Sequence, residues 1–400
     1  MSLDFLQVRE QIKRLGENAP QRARRLQTLR QRARQQLKNS ANDLEHLVRK
    51  VHLVASNYDP NLRCALPSLE PIRGRELEAL DSCFPLPNVP GQATILAADG
   101  SQITPDRHAP VNYCLINVGA IQMQIGAADA PEISIASQLL YDEELYTPTG
   151  MITDARLALM RDLNERQELA RLAQRAPAPV ITFTDGPMEL WGAKDNDSEF
   201  QKSLDEYLRV LSVLRDLNVT TAGYVDKPAA NLVVRLLEVA MLGENELPEI
   251  KKNYPLRGVI DKDLYHELLG PGERSAIFAI QSRSAQQYKD ELGLHFFYLN
   301  VGQPDHPWLA RVELPGWVAQ DREMLDQLHA VLVQQCRIMG NRPYPYLLHR
   351  AHEAAVVSME EKAQVTQMIS LELRNRGVEV GEISSKQAAK DLQGRTKYER

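Results

Sequence analysis

The sequence predicts an α/β fold, a mixed sheet flanked by helices and preceded by a helical arm. Three observations predict it. Two apolar runs of strand length, residues 94–99 and 180–185, each close on an Asp-Gly pair. Between them residues 152–176 carry apolar side chains at helical spacing, and Pro177 and Pro179 stop that helix. Beyond the second run, helix-length and strand-length segments alternate as far as residue 377.

Taken in order, residues 1–57 read as a basic helical arm with a break near Asn18-Ala19-Pro20. Its apolar stripe runs through Leu26, Leu29, Ala33, Leu37, Leu44, Leu47 and Val48. Residues 58–91 are rich in proline and lack periodicity, which predicts a connector. A core domain spans 92–358. It opens with the strand at 94–99, which ends in Asp-Gly-Ser, and continues with strands at 111–117 and 118–125 around Gly119. These make a three-stranded meander, followed by a loop. After the helix at 152–176 and the strand at 180–185 come a helix at 200–216, a strand at 220–225 and a helix at 229–242. Strands at 277–280, 294–300 and 310–313 precede helices at 318–339 and 346–377, the last in two pieces. Residues 359–400 form a C-terminal helix and polar tail.

Composition narrows the function classes. Of the 400 residues 43% are hydrophobic, enough for a sizeable core, and no apolar run approaches the ~20 residues a membrane span needs. The first ten residues lack an apolar signal segment, so a cytoplasmic protein is expected. Cys64, Cys83, Cys114 and Cys336 form no CxxC pair, which argues against a zinc ribbon or a disulfide framework. The net charge of −6 is distributed unevenly: residues 21–38 hold Arg22, Arg24, Arg25, Arg30, Arg32, Arg34 and Lys38 with no acid. Arg24, Arg25 and Arg32 are candidates to hold a phosphate backbone, although a solvated helix or a dimer arm explains the same run. There is no GxxxxGK[ST] loop for ATP, no HExxH and no GxSxG.

The chemistry gathers in the core. Asp99 and Asp185 each close a buried strand, where α/β sheets collect ligands, and each is followed by a glycine that lets the backbone turn. Asp-Gly is also a common turn, so the pairing of two such ends carries the argument. Two carboxylates on neighbouring strands suit hard divalent cations. Glu165 lies at the edge of the packed face of helix 152–176, whereas Glu168 is expected to point to solvent; Glu165 is therefore the favoured third acid. An aspartate on the first strand, a meander, a glutamate on the first helix and an aspartate on the fourth strand is the RNase H-like arrangement. Its carboxylates hold two metal ions ~4 Å apart.

Five segments resemble the NurA nuclease family: Ala98-Asp99-Gly100-Ser101, Arg161-Asp162-Leu163-Asn164-Glu165, Phe183-Thr184-Asp185-Gly186-Pro187, Ala222-Gly223-Tyr224-Val225-Asp226-Lys227-Pro228, and residues 344–353 from Tyr344 to Glu353. The resemblance spans roughly residues 94–357. It implies a Mn²⁺-dependent deoxyribonuclease, with Mg²⁺ as the alternative ion, of single-strand endonuclease and 5′–3′ exonuclease type in DNA end processing. It also implies a homodimer and a HerA-type hexameric ATPase as partner. The implied metal-site acids are Asp99, Glu165 and Asp185, joined by Tyr344 and His352. An imidazole can ligate Mn²⁺ or carry a proton near neutrality, so both roles stay open for His352. Tyr344, flanked by Pro343 and Pro345, suits stacking on a base, a phosphate contact or packing. Lys227 is a candidate phosphate contact. The rival reading is a non-catalytic adaptor or DNA clamp docking on an ATPase ring.

Overall fold

A computed structural model of the chain describes residues 4–69, 77–106, 110–148, 150–191 and 198–380. The chain opens with helices α1 (Phe5–Asn39) and α2 (Leu44–Asn57) and short strands β1 (Cys64–Pro67) and β2 (Cys83–Phe84). Three long strands follow: β3 (Ala93–Ile103), β4 (Cys114–Ile125) and β5 (Glu132–Leu140). A small hairpin, β6 (Tyr146–Thr147) and β7 (Gly150–Met151), leads into α3 (Asp154–Ala173). Next come β8 (Val180–Asp185), α4 (Ser198–Asp216), β9 (Thr220–Val225), α5 (Leu232–Met241) and α6 (Asp261–Tyr265). Strands β10 (Arg274–Ser275), β11 (Phe278–Gln281), β12 (Leu294–Asn300) and β13 (Leu309–Pro315) precede α7 (Gly316–Ala319), α8 (Arg322–Ile338), α9 (Tyr346–Ala355) and α10 (Met359–Asn375). Residues 381–400, most of the expected polar tail, lie outside the described residues.

The chain divides into two units. The first comprises 1–90, 186–189 and 221–345. Its strands run β1-β11-β12-β13-β9, all antiparallel where paired in register, and β10 bridges β12 and β2. Two of these strands, β1 and β2, fall inside the stretch expected to be a connector. Cys64 and Ala65 are fully buried there, and Leu80 too, so apolar content rather than periodicity marked this segment. The expected break in the arm is also absent: α1 continues through Pro20. Pro20 removes one donor from the ladder, and in the preceding turn Asn18 donates to the Arg14 carbonyl and Arg22 to the Leu15 carbonyl.

The second unit comprises 91–185, 190–220 and 346–400, and its strands run β8-β3-β4-β5. β3 pairs antiparallel with β4 and parallel with β8, and β4 pairs antiparallel with β5. A meander closed by a parallel strand after a helix is the RNase H-like order predicted from the sequence. Its strands differ from the expectation in two ways. Residues 114–125 form one strand with Gly119 in its middle, not two, and the third strand is β5, in the stretch expected to be loop. The Ile133-Ser134-Ile135-Ala136 alternation of β5 is a strand signal, muted because most of its side chains are exposed.

The two faces of this sheet can be assigned from register, since directly opposed residues of an antiparallel pair share a face. Gly100, Val118 and Ala136 form one cross-strand row, and Asp99, Gly119 and Ile135 form the next on the opposite face. α3 covers the first face. Thr153 caps it by accepting from the Arg156 amide, and Leu157, Leu159, Leu163 and Leu169 are buried. α9 covers the second face. Its Ala351 and Ala355 are buried, and a Cβ on Gly119 would stand 2.6 Å from the Ala355 nitrogen and 2.7 Å from the Ala351 oxygen. Gly119 is thus where a helix backbone meets a strand backbone, and any side chain would hold them apart.

Candidate active site

Asp99 stands at a fork in the sheet. The parallel pairing of β3 with β8 runs up to Ala98 and Thr184, while β3 continues beside β4 as far as Ile103. The strand therefore does not end at Asp-Gly-Ser, as expected; its partner on one side ends there. The next residues along the two parallel strands are Asp99 and Asp185. The register therefore brings the two aspartates to matching positions, one residue past the last paired residues of adjacent parallel strands. Asp185 is the last residue of β8 and is exposed.

Each oxygen of the Asp99 carboxylate has a partner. Oδ1 accepts from the Gly100 amide at 2.9 Å, and Oδ2 lies 2.7 Å from Nδ1 of His352. With a carboxylate as acceptor, Nδ1 is the donor, which leaves Nε2 of a largely exposed ring for other work. α9 brings His352 there because its other face is anchored. Ser101 Oγ and Asn117 Nδ2 both donate to the Ala355 carbonyl at the end of that helix, and Ser137 donates to Asn117. Ser101, the last residue of the Asp-Gly-Ser motif, thus fixes the helix that carries His352. Its side chain faces the same way as that of Asp99, and the sequence reading assigned it no role.

Glu165 approaches from the α3 face. A Cβ on Gly100 would lie 2.8 Å from Glu165 Oε1 and 2.5 Å from Cγ of Arg161. The glycine after Asp99 is needed so that a carboxylate and a guanidinium stem can lie against the strand, not for a sharp turn. Glu165 is buried, and that burial, then the nearby charges of Asp162 and Asp99, push its carboxyl well above the usual range against the pull of Arg161 and Arg166. Burial likewise raises Asp162, with Arg161 opposing. Arg161 pairs with Asp162 at 2.8 Å and approaches Glu165 at 3.5 Å. Arg166, buried, donates to Thr184 Oγ1 at 2.6 Å, which ties α3 to the residue before Asp185. Arg161 and Asp162 open the motif that ends at Glu165, and Arg166 follows it; the sequence reading assigned none of the three a role.

Glu168 does not point to solvent. It is buried, bonded to Arg171 and accepting from Ser134 on β5 at 2.8 Å. Burial alone would raise its carboxyl; the hydrogen bonds from Arg171 and Ser134 outweigh it and hold the carboxyl below the usual range. A helical wheel places Glu168 away from β3 correctly but omits the edge strand, which lies beneath that side of the helix.

The remaining candidates belong to the first unit. Tyr344 packs edge-on against Tyr224, with ring centroids 5.7 Å apart. Lys227 has a left-handed backbone (φ 47°), is exposed, and sets Nζ 4.6 Å above the Trp308 ring, whose Nε1 donates to Asp226. On α1, Arg24, Arg25 and Arg32 are exposed, whereas Arg30 and Arg34 bind Asp263 and Glu267. All four cysteines are free thiols. Among the described residues no helix is long and apolar enough to cross a membrane.

Among the described residues, no three His, Cys, Asp or Glu side chains stand in ready metal-holding geometry. The donors around β3 nevertheless fit a divalent cation in kind, as hard carboxylate oxygens with one imidazole. Their electrostatics fit as well, because the Asp99 charge raises the cost of ionising Asp162 and Glu165, and Asp162 that of Glu165, and a cation would offset that cost.

The NurA domain family profile matches residues 93–357. Comparison with curated proteins finds no match. Among solved structures, the chain is similar to a NurA crystallised with manganese, at 12% identity and TM-score 0.32 over 73% of this chain and 92% of that one. It is similar to the catalytic domain of human endonuclease V at 14% identity and TM-score 0.32, over 70% of this chain and 85% of that one. A type 1 RNase H is similar at 16% identity and TM-score 0.21, over 31% of this chain and 60% of that one. With two thirds of its length inside the family profile, the chain belongs to the NurA domain family, the nuclease family its five motifs resemble.

Proposed function

We propose that the protein is a metal-dependent DNA nuclease that hydrolyses phosphodiester bonds at Asp99, Glu165, Asp185 and His352, with Mn²⁺ as its cofactor and Mg²⁺ as the alternative. The observation that carries this reading is the 2.7 Å contact of Asp99 with His352, with the Glu165 carboxylate lying against the adjacent Gly100 from the other face and under the charge of Asp99. A pair of divalent ions held by the three carboxylates would supply an activated water and stabilise the leaving oxygen. The chain's own residues would do the rest. Asp99 orients the His352 ring through Nδ1, which leaves Nε2 to ligate or to accept a proton. Arg161 restrains Glu165 and Asp162 in a fixed arrangement until ligand competes for them. Tyr344, Lys227, Arg24, Arg25 and Arg32 would hold the strand by stacking and phosphate contacts.

The role this supports is DNA end processing by a homodimer beside a HerA-type hexameric ATPase, with single-strand endonuclease and 5′–3′ exonuclease activity. The test is cleavage of labelled single- and double-stranded DNA with Mn²⁺, Mg²⁺ or chelator. Asp99→Asn and Glu165→Gln are each expected to lower the rate by more than ~100-fold, since even residues that only support metal ligands cost 10–100-fold. Binding gives a second readout. Mn²⁺ at about a hundred times its Kd should stabilise the wild-type fold by about 2.7 kcal/mol, and Asp99→Asn should not show that gain. Unchanged cleavage by both variants would overturn this site, and no cleavage by the wild type with either metal would remove the nuclease reading and leave the adaptor.

A further inference from the structure

A cavity of about 230 Å³ opens on the α3 face of the second unit. Its floor is Val118 and Ala136, a directly opposed pair on β4 and β5. That pair continues the cross-strand row that begins at Gly100, the residue against which Glu165 rests. The floor therefore starts one strand spacing, about 4.8 Å, from the Glu165 carboxylate position. One wall is an amide pair: Asn164, the neighbour of Glu165 on α3, donates through Nδ2 to Gln138 Oε1 at 3.0 Å. That bond uses one end of each amide. Asn164 Oδ1, an acceptor, and Gln138 Nε2, a donor, have no other partner among the described residues. The far rim is the Glu168–Arg171 pair, whose guanidinium is half-exposed.

A flat apolar floor, an acceptor beside a donor on one wall and a guanidinium plane on the rim are what a nucleobase needs for stacking and edge recognition. An acceptor next to a donor complements a base that presents an amine beside a ring nitrogen, as adenine does at N6 and N7. We infer that this cavity is a base-reading subsite, in which Asn164 and Gln138 grip an amine-bearing base of the strand being cut while its phosphate lies at Asp99 and Glu165. The inference rests on the nuclease reading and adds to it a preference for sequence next to the cut.

The experiment measures binding of the full chain to short homopolymers of dA, dC and dT, and to an abasic oligonucleotide of the same length, at one salt concentration with chelator present. The wild type should bind dA about tenfold more tightly than dT or the abasic strand, the discrimination expected of one good two-point contact. The double variant Asn164→Ala, Gln138→Ala should bind all of them like the abasic strand, while its melting temperature and its Mn²⁺-dependent cleavage of dT stay at wild-type values. Equal wild-type affinity for dA and abasic strands overturns the subsite. So does a dA preference that survives in the double variant, and with cleavage intact either result leaves the nuclease reading standing. A wild type that neither binds these oligonucleotides nor cleaves them with Mn²⁺ overturns both.

Discussion

Asp261, in the first unit, shows how a single buried acid shapes stability. Its carboxylate accepts from the Val233 and Val234 amides at the start of α5 and from the Tyr298 hydroxyl. Burial pushes its pKa up from 3.8 to about 6, more than those hydrogen bonds pull it down. A folded-state value above the unfolded one means that the protonated form costs the fold nothing while the ionised form costs it. The contribution is intact below about pH 4, is lost as pH rises through 6, and is constant beyond, a change of roughly 3 kcal/mol. The melting temperature of the wild type, relative to Asp261→Asn, should therefore fall between pH 4 and 6 and level off above 7; a flat difference would refute this. No pattern of neighbours along the chain announces Asp261, because its three donors come from residues 233, 234 and 298. Asp99 and Asp185 were legible because their strands are. Glu165 was legible from helical phase, and that phase misjudged Glu168 because it takes no account of a strand hidden from the periodicity.

At the scale of elements, fully buried strands were read closely and half-exposed ones poorly. β8, β9 and β12 fall where apolar runs predict them, because both faces of each are covered. β5 leaves most of its side chains in water, and β1 and β2 are too short for a period to register. β4 shows why a glycine can mislead. Gly119 sits where sequence reasoning expects a turn, yet it lies mid-strand to admit α9. Gly119→Ala is expected to push α9 off the sheet, costing about 1–3 kcal/mol as overpacking does. It should also weaken cleavage more than that loss of stability explains, because the helix it displaces carries His352 to Asp99. Chemical denaturation and cleavage of the variant below its melting range check both. A variant with wild-type stability and rate would mean that the close approach is not needed.

For the whole molecule, the uneven charge matters more than the total. A net −6 repels a polyanion at long range, so the proposed capture of DNA would have to come from local positive surface. Arg24, Arg25 and Arg32 are exposed on α1, while Arg30 and Arg34 are already committed to acids of their own unit. If the three exposed arginines each meet a phosphate, replacing them with glutamine should lower the slope of log affinity against log salt by about 2, at ~0.7 per contact on a single strand. An unchanged slope would assign the arm to something other than nucleic acid.

The first half of α1 has one further consequence. Residues 9 to 25 are exposed throughout, and the buried positions of the helix, Ala33 and Leu37, come only in its last two turns. A helical stretch that leans on no neighbour is held only by its own hydrogen bonds, and at under twenty residues such stretches are marginal in water. The leading turns will therefore unwind and rewind on the sub-microsecond scale of free helical peptides while the rest of the fold stays closed. Heating will then loosen the arm's leading half below the temperature at which the rest of the fold melts.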